Sequence, residues 1–194
     1  MKINAVIPVK SLAHGKTRLA GFLDDADRAA LNASLLDHAL DLAEVFPGLS
    51  NTIVVSADKR VLEIAKSRGA LGLRETNSGL NPAIELGMTA ARNNRARAIL
   101  VLPTDLPIAT AEDLLALAVS PAGMTIAADR RGFGTNALCV PTSEDFTFRF
   151  GDDSFVAHLE EAQLSGLSAH IVHRPNLSFD IDTPDDYRHW KAMH

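Results

Sequence analysis

Three aspartates and three cations are the residues of this chain whose types and spacing suit reaction chemistry. Pro103-Thr104-Asp105-Leu106-Pro107 pins one carboxylate between two prolines. Phe179-Asp180-Ile181-Asp182-Thr183-Pro184 carries two more at alternate positions. In an extended chain, alternate residues point to the same side, so Asp180 and Asp182 can face one ion. Magnesium prefers oxygen ligands and takes one or two carboxylates together with substrate phosphates. Plainer roles compete with this one. Asp105 can bond to its own turn, and Asp182 or Thr183 can cap a helix that begins near Pro184. The capping role is weaker for Asp180, because a carboxylate between Phe179 and Ile181 needs a partner, and a cation is a natural one.

The cations are Lys10, Lys16 and Arg18, in the stretch that follows Ile3 to Val9. Lysine meets polyphosphate as a point charge and arginine as a fork. A solvated basic loop is the alternative. Gly15-Lys16-Thr17 resembles the end of a P-loop, but that motif needs a glycine where Lys10 stands, so it is rejected. Glu75-Thr76-Asn77-Ser78-Gly79-Leu80-Asn81-Pro82 offers amides and Asn side chains suited to a purine edge, and Asn81 equally suits a helix cap. Gly132-x-Gly134-Thr135-Asn136 is followed by no helix and is not a dinucleotide fingerprint. It can still bring backbone N–H groups close to a ligand. Phe150-Gly151-Asp152-Asp153-Ser154 opens a helix, which makes either an anion site or ordinary capping by the two aspartates. The histidines form no zinc-hydrolase motif. Cys139 sits in an apolar run and reads as core.

The elements that must position these residues alternate between short apolar runs and helical patterns. Strands are expected at Ile3–Val9, Thr52–Ser56, Leu71–Arg74, Ala98–Leu102, Met124–Ala128 and Asn136–Val140. Ala169–His173 and Leu177–Ile181 are also strand-like. Helices are expected from Asp24 or Asp27 to Phe46, at Lys59–Arg68 with Gly69 as C-cap, from Pro82 to about Asn93, at Ala111–Val119, at Asp152–Leu164, and from Pro184 onward. Such alternation with continuous apolar strands implies an α/β three-layer sandwich around a mostly parallel mixed sheet. Ligands of such sheets bind beyond the carboxyl ends of the strands.

The chain has 194 residues, which suits one domain spanning 1–194. Apolar residues make up 46% and charged residues 22%, an ordinary globular balance. A net charge of −5 argues against nucleic acid as a partner. A lone cysteine excludes a disulfide framework within the chain. No apolar run approaches membrane-spanning length. The expectation is a cytoplasmic protein that binds neither nucleic acid nor membrane.

Taken in order, these segments resemble the 2-phospho-L-lactate guanylyltransferase family of deazaflavin coenzyme (factor 420) biosynthesis. The resemblance is carried by Ile7-Pro8-Val9-Lys10 with Lys16-Thr17-Arg18-Leu19, by Gly79-Leu80-Asn81, and by Leu102-Pro103-Thr104-Asp105-Leu106-Pro107. It continues through Asp129-Arg130-x-Gly132-x-Gly134-Thr135-Asn136-Ala137-Leu138, Phe150-Gly151-x-x-Ser154-Phe155 and Asp180-x-Asp182-Thr183-Pro184. It implies a nucleotide-diphospho-sugar-transferase-like fold and transfer of GMP from GTP to a small phosphorylated acid. The acceptors it implies are 2-phospho-L-lactate, phosphoenolpyruvate or 3-phospho-D-glycerate. Magnesium, with manganese as an admitted substitute, would be held by Asp105, Asp180 and Asp182. Lys16 would lie near the phosphates, and with Asp105 would carry catalysis. Lys10, Arg18, Gly79, Asn81 and Pro103 would hold the nucleotide, and Thr135, Gly151 and Ser154 the acceptor. A homodimer is admitted, and the product is expected to pass to the next enzyme of the pathway. Asp152 and Asp153 depart from the small or neutral residues that family members often carry there. The alternatives are a nucleotidyltransferase using CTP, ATP or a sugar phosphate, and a non-catalytic nucleotide-binding protein of the same fold.

Overall fold

The computed structural model describes residues 1–118 and 123–193. Among these residues, seven strands form one mixed sheet: β1 (Ile3–Pro8), β2 (Thr52–Ser56), β3 (Leu71–Arg74), β4 (Ala98–Val101), β5 (Gly123–Ala128), β6 (Thr135–Pro141) and β7 (Ser168–Ile171). Their order is β3-β2-β1-β4-β6-β5-β7. Only β6 runs against its neighbours, pairing antiparallel with β4 and β5. Strands β1, β2, β4 and β6 are buried along their whole length, as continuous apolar runs covered on both faces must be.

Among the described residues, seven helices complete the layers: α1 (Asp25–Val45), α2 (Lys59–Arg68), α3 (Leu80–Asn93), α4 (Ala111–Leu117), α5 (Ser154–Leu164), α6 (Pro175–Ser178) and α7 (Pro184–Ala192). Alternation along the strands divides the core. Ile7, Val54 and Leu100 pack with Leu36, Leu40, Val61 and Leu114 of α1, α2 and α4. Val6, Ile53 and Val101 pack with Ile84 and Met88 of α3 and Ala162 of α5. Gly87 lets α3 lie directly on β1, since a Cβ there would come within 2.4 Å of Val6. The three-layer expectation therefore holds.

Local chemistry sets the helix ends. Asp24 caps α1 by accepting the Asp27 N–H, and Asp58 caps α2 by accepting the Arg60 N–H. Gly69 ends α2 in the left-handed conformation, as expected of a C-cap. Helices α4 and α7 open on capping boxes, Thr110 with Asp113 and Thr183 with Asp186.

Several expected boundaries shift. Helix α3 starts at Leu80 with Gly79 as its N-cap, so Pro82 lies within the first turn, where its missing N–H costs nothing. Helix α5 starts at Ser154, because Asp153 takes a left-handed φ of 52° and makes no side-chain cap. The residues expected to cap that helix do not. The expected end of α4 at Val119 lies outside the described residues. The strand expected at Leu177–Ile181 is not formed. Pro175 opens the short helix α6, Leu177 drops into the core, and the chain then runs irregularly through Phe179 to Asp182.

Candidate functional site

The carboxyl ends of β1, β2, β3 and β4 and the amino end of β6 meet at one edge of the sheet. A cleft of about 650 Å³ opens there. The residues after β1 form one wall, folded by two long-range anchors. Asp58 accepts from the Ser11 hydroxyl at 3.0 Å and the Leu12 N–H at 3.2 Å. Asn32 of α1 donates to the Leu12 carbonyl at 2.7 Å. Gly15 is closed in against Asn32, where a Cβ would come within 2.7 Å of its amide nitrogen. Lys16 follows with a left-handed φ of 52°, which turns its side chain into the cleft.

The Lys16 ammonium lies between two carboxylates, 3.1 Å from Asp105 Oδ2 and 3.2 Å from Asp182 Oδ1. Its side chain is 11% exposed. Burial alone would lower the Lys16 pKa, but Asp105 and Asp182 more than offset that and hold it above the ordinary lysine value. Arg18 bonds the other oxygen of Asp182 at 3.0 Å from a side chain 72% exposed. Capping does not occupy Asp182. Thr183 and Asp186 cap α7 between them, which leaves the Asp182 carboxylate to the two cations.

The segment carrying Asp180 and Asp182 is tied to Asp105 by one backbone bond, Ile181 N–H to the Asp105 carbonyl at 3.0 Å. Asn136 of β6 holds Asp180, donating to its Oδ1 at 3.3 Å and to the Leu177 carbonyl at 3.0 Å. Burial raises the Asp180 pKa, and the charges of Asp105 and Asp182 raise it further against the Asn136 bond. The three carboxylates thus feel one another. Their oxygens are of the kind a hard divalent cation prefers, and their joint negative charge exceeds what Lys16 alone offsets. Among the described residues no three His, Cys, Asp or Glu side chains converge into a ready metal cage. The Lys16 ammonium bridges Asp105 and Asp182.

Lys10, Gly79 and Pro103 also line the cleft, as do Lys16, Arg18, Asp105 and Asp182. Asn81 is placed elsewhere. Its amide clamps the Phe150 backbone, accepting from the N–H at 2.8 Å and donating to the carbonyl at 3.1 Å. Thr135 and Ser154 are buried and joined, the Thr135 N–H donating to Ser154 Oγ at 2.9 Å. Thr135 Oγ also meets His158 Nδ1 at 2.9 Å, while His158 Nε2 accepts the Arg149 N–H at 3.0 Å. Burial, helped by Arg149, pushes the His158 pKa down to about 4, so the imidazole is neutral and carries its proton on Nδ1. Gly151 is exposed, with a φ of 144°. These residues neighbour the carboxylates through β6, where Thr135 adjoins Asn136. Sequence reasoning did not single out Asn32, Asp58 or His158, whose partners are distant in the chain. Nor did it single out the Glu75 side chain, which lies in the cleft wall.

A family model described as guanylyl transferase CofC-like matches residues 3–192. The phosphoenolpyruvate guanylyltransferase of Rubrobacter xylanophilus is 39% identical over 99% of this chain and 95% of its own. The 3-phospho-D-glycerate guanylyltransferase of Phenylobacterium zucineum is 36% identical over 94% of this chain and 86% of its own. Among solved structures, a Methanothermobacter nucleotidyl transferase superposes with a TM-score of 0.70 at 16% identity, covering 99% of this chain and 97% of the other. A Desulfovibrio desulfuricans protein assigned to the nucleotide-diphospho-sugar transferases superposes with a TM-score of 0.68 at 16% identity, covering 94% and 84%. At such identities the structural likeness carries the fold, which is the nucleotide-diphospho-sugar-transferase-like one expected.

Proposed function

The chain belongs to the CofC-like guanylyl transferase family, a family of nucleotidyltransferases, and from that premise we propose that it transfers GMP from GTP to a three-carbon phospho-acid and releases pyrophosphate. The observation that carries this reading is the Asp105–Lys16–Asp182–Arg18 chain of charges at the mouth of a cleft of about 650 Å³. The acceptor is phosphoenolpyruvate or 3-phospho-D-glycerate, after the relatives' names, with 2-phospho-L-lactate as the third candidate.

The acceptor's phosphate attacks the α-phosphorus of GTP in line, the bond to the β-phosphate oxygen breaks, and pyrophosphate leaves. The nucleophile is already an anion, so no general base is needed. The difficulty is bringing two anions together. Lys10, Lys16 and Arg18 supply positive charge along one wall, where a preorganised cation is worth far more than in water. Asp105 and Asp180, with Asp182 as a third carboxylate, would hold magnesium or manganese, which would supply electrophilic charge for the polyphosphate. Gly79 and Pro103 bound the nucleotide's space, whereas Asn81 is engaged with the Phe150 backbone outside the cleft lining. Thr135, Gly151 and Ser154 would bind the acceptor, the two hydroxyls with their oxygens already engaged by protein donors and their protons free to be given.

The same reading extends to setting. One domain, 1–194, carries the activity in the cytoplasm, in deazaflavin coenzyme biosynthesis, and the product passes to the next enzyme. Among the described residues no helix is long and apolar enough to cross a membrane. The test is pyrophosphate release with GTP and magnesium against the three phospho-acids, repeated with CTP, ATP and UTP. Release that needs GTP and one phospho-acid supports the reading. Equal release with CTP or ATP, or none with GTP, overturns it.

A further inference from the structure

The cleft contains one carboxylate that the transfer reaction does not use. Glu75 follows β3, its N–H bonded to the Ser56 carbonyl at 3.1 Å, and its side chain lies in the cleft wall beside Ser78, Gly79 and Leu80. It is half-buried, and among the described residues no hydrogen-bond donor meets its oxygens. Burial raises its pKa while the charge of Lys10 draws it down. Lys10 acts from beyond ion-pair distance, so it does not saturate the carboxylate.

A carboxylate partly withdrawn from water gains from a ligand that brings donors, and in a cleft for a polyphosphate it also repels the substrate. Its distance from the phosphate end removes that repulsion. Three strand intervals separate β3 from β4, the strand that leads to Asp105. At about 4.8 Å each, that is about 14 Å. A nucleotide whose phosphates lie at Lys16 and Asp105 would extend its base across β1 and β2 toward Glu75. The Glu75 carboxylate is suited to a ligand with donors to give. Among the common nucleobases, guanine alone presents two adjacent donors on its pairing edge, N1–H and N2–H. Adenine and cytosine place an amino donor beside a ring acceptor, and uracil places one N–H between two carbonyls. A carboxylate accepts both guanine donors and repels the acceptors of the other three.

We propose that Glu75 is the residue that selects guanine, its two oxygens accepting from N1–H and N2–H of the base. This rests on the nucleotide half of the proposed function and is separable from it. The test is calorimetric binding of GTP, ITP and ATP, each with magnesium, to the full chain and to Glu75→Ala and Glu75→Gln. ITP keeps N1–H and lacks the N2 amino group. The wild type should bind GTP about 10- to 100-fold more tightly than ITP, the loss of one charge-assisted bond, and ATP more weakly still. Glu75→Ala should bring GTP and ITP to within about threefold of each other. Should Glu75→Ala fail to fold, the near-isosteric Glu75→Gln, with one acceptor left, should still shrink the gap. Three results overturn the proposal: wild-type binding of ITP as tight as GTP, a folded variant that keeps the wild-type ratio, or equal loss of all three nucleotides. The last would make Glu75 a packing residue or a partner of Lys10. Selective GTP binding without transfer to any phospho-acid would overturn the reaction and leave Glu75 its role.

Discussion

Lys16→Met is the sharpest test of the charge cluster, because it removes one ammonium while keeping most of the buried stem. At 3.1 and 3.2 Å, two carboxylates each attract that ammonium by about 5 kcal/mol at an effective dielectric constant of about 20. Taking an ammonium out of water costs several kcal/mol, and Asp182 is 40% exposed, so solvent screens its share. The net loss of stability at pH 7 should therefore be about 1–3 kcal/mol. For a chain of this size that is a fall in Tm of roughly 2–12 °C. The effect on transfer should be larger, about 100- to 1,000-fold in kcat/KM, as for loss of one preorganised charge at a site of developing negative charge. The pH dependence has a definite sign. The folded-state pKa of Lys16 lies above its ordinary value, so its contribution is complete below the unfolded pKa of about 10.5 and fades only as pH rises through the folded value. Wild type and variant should differ at pH 6 and pH 9 alike and converge only in stronger alkali. The assays are thermal unfolding across that range and steady-state pyrophosphate release. A variant with wild-type Tm and activity within threefold of normal would refute the placement of Lys16.

Three other outcomes are expected. Asp180→Asn removes a carboxylate whose folded-state pKa is raised by burial and by Asp105 and Asp182. Such a group costs stability as pH rises above the unfolded value, so the variant should melt no lower than wild type at pH 7 while losing about a hundredfold or more in turnover. A clear fall in Tm would show that Asp180 instead supports the fold. His158, wholly buried with its pKa lowered from 6.5 to about 4, should make wild-type stability fall by roughly 3 kcal/mol as pH drops through that interval, at about 1.4 kcal/mol per unit. Denaturant titrations of wild type and His158→Gln at pH 7 and pH 4.5 measure it, and an unchanged pH slope in the variant would assign the fall to other groups. Asn81→Ala should cost about 1–2 kcal/mol by freeing both Phe150 backbone groups. It should leave the ratio of GTP to ATP binding unchanged, and a changed ratio would make Asn81 a base reader after all.

Where local chemistry decides structure, it was readable. Thr52–Ser56 and Lys59–Arg68 appear with the expected ends because an apolar run, the Asp58 cap and Gly69 act within a few residues. The Pro103–Pro107 turn singles out Asp105, which lies in the cleft wall, whereas Asp182 reads from the sequence equally as a helix cap. The Phe179–Ile181 alternation reads as a strand because burial of those two side chains imitates one. What fixes the segment is instead a proline-started turn and one bond to the Asp105 carbonyl. Asn81 looked like a cap or a base reader because its partner, Phe150, is 69 residues away. The Asp58–Ser11 and Asn32–Leu12 anchors were hidden for the same reason.

The bond between Lys16 and Asp182 joins residues 166 positions apart, which bears on how the chain reaches its working form. A growing polypeptide presents Lys16 long before its second carboxylate has been made. The sheet's first three strands can pair meanwhile, but the charge cluster must wait for the segment beyond α6 to return and bond at Asp105. Closing so long a loop carries a high entropic cost, and contacts of such separation form late. The cluster is thus incomplete until nearly all of the described chain is in place, and a half-made molecule carries Lys16 and Arg18 without the carboxylates that pair with them.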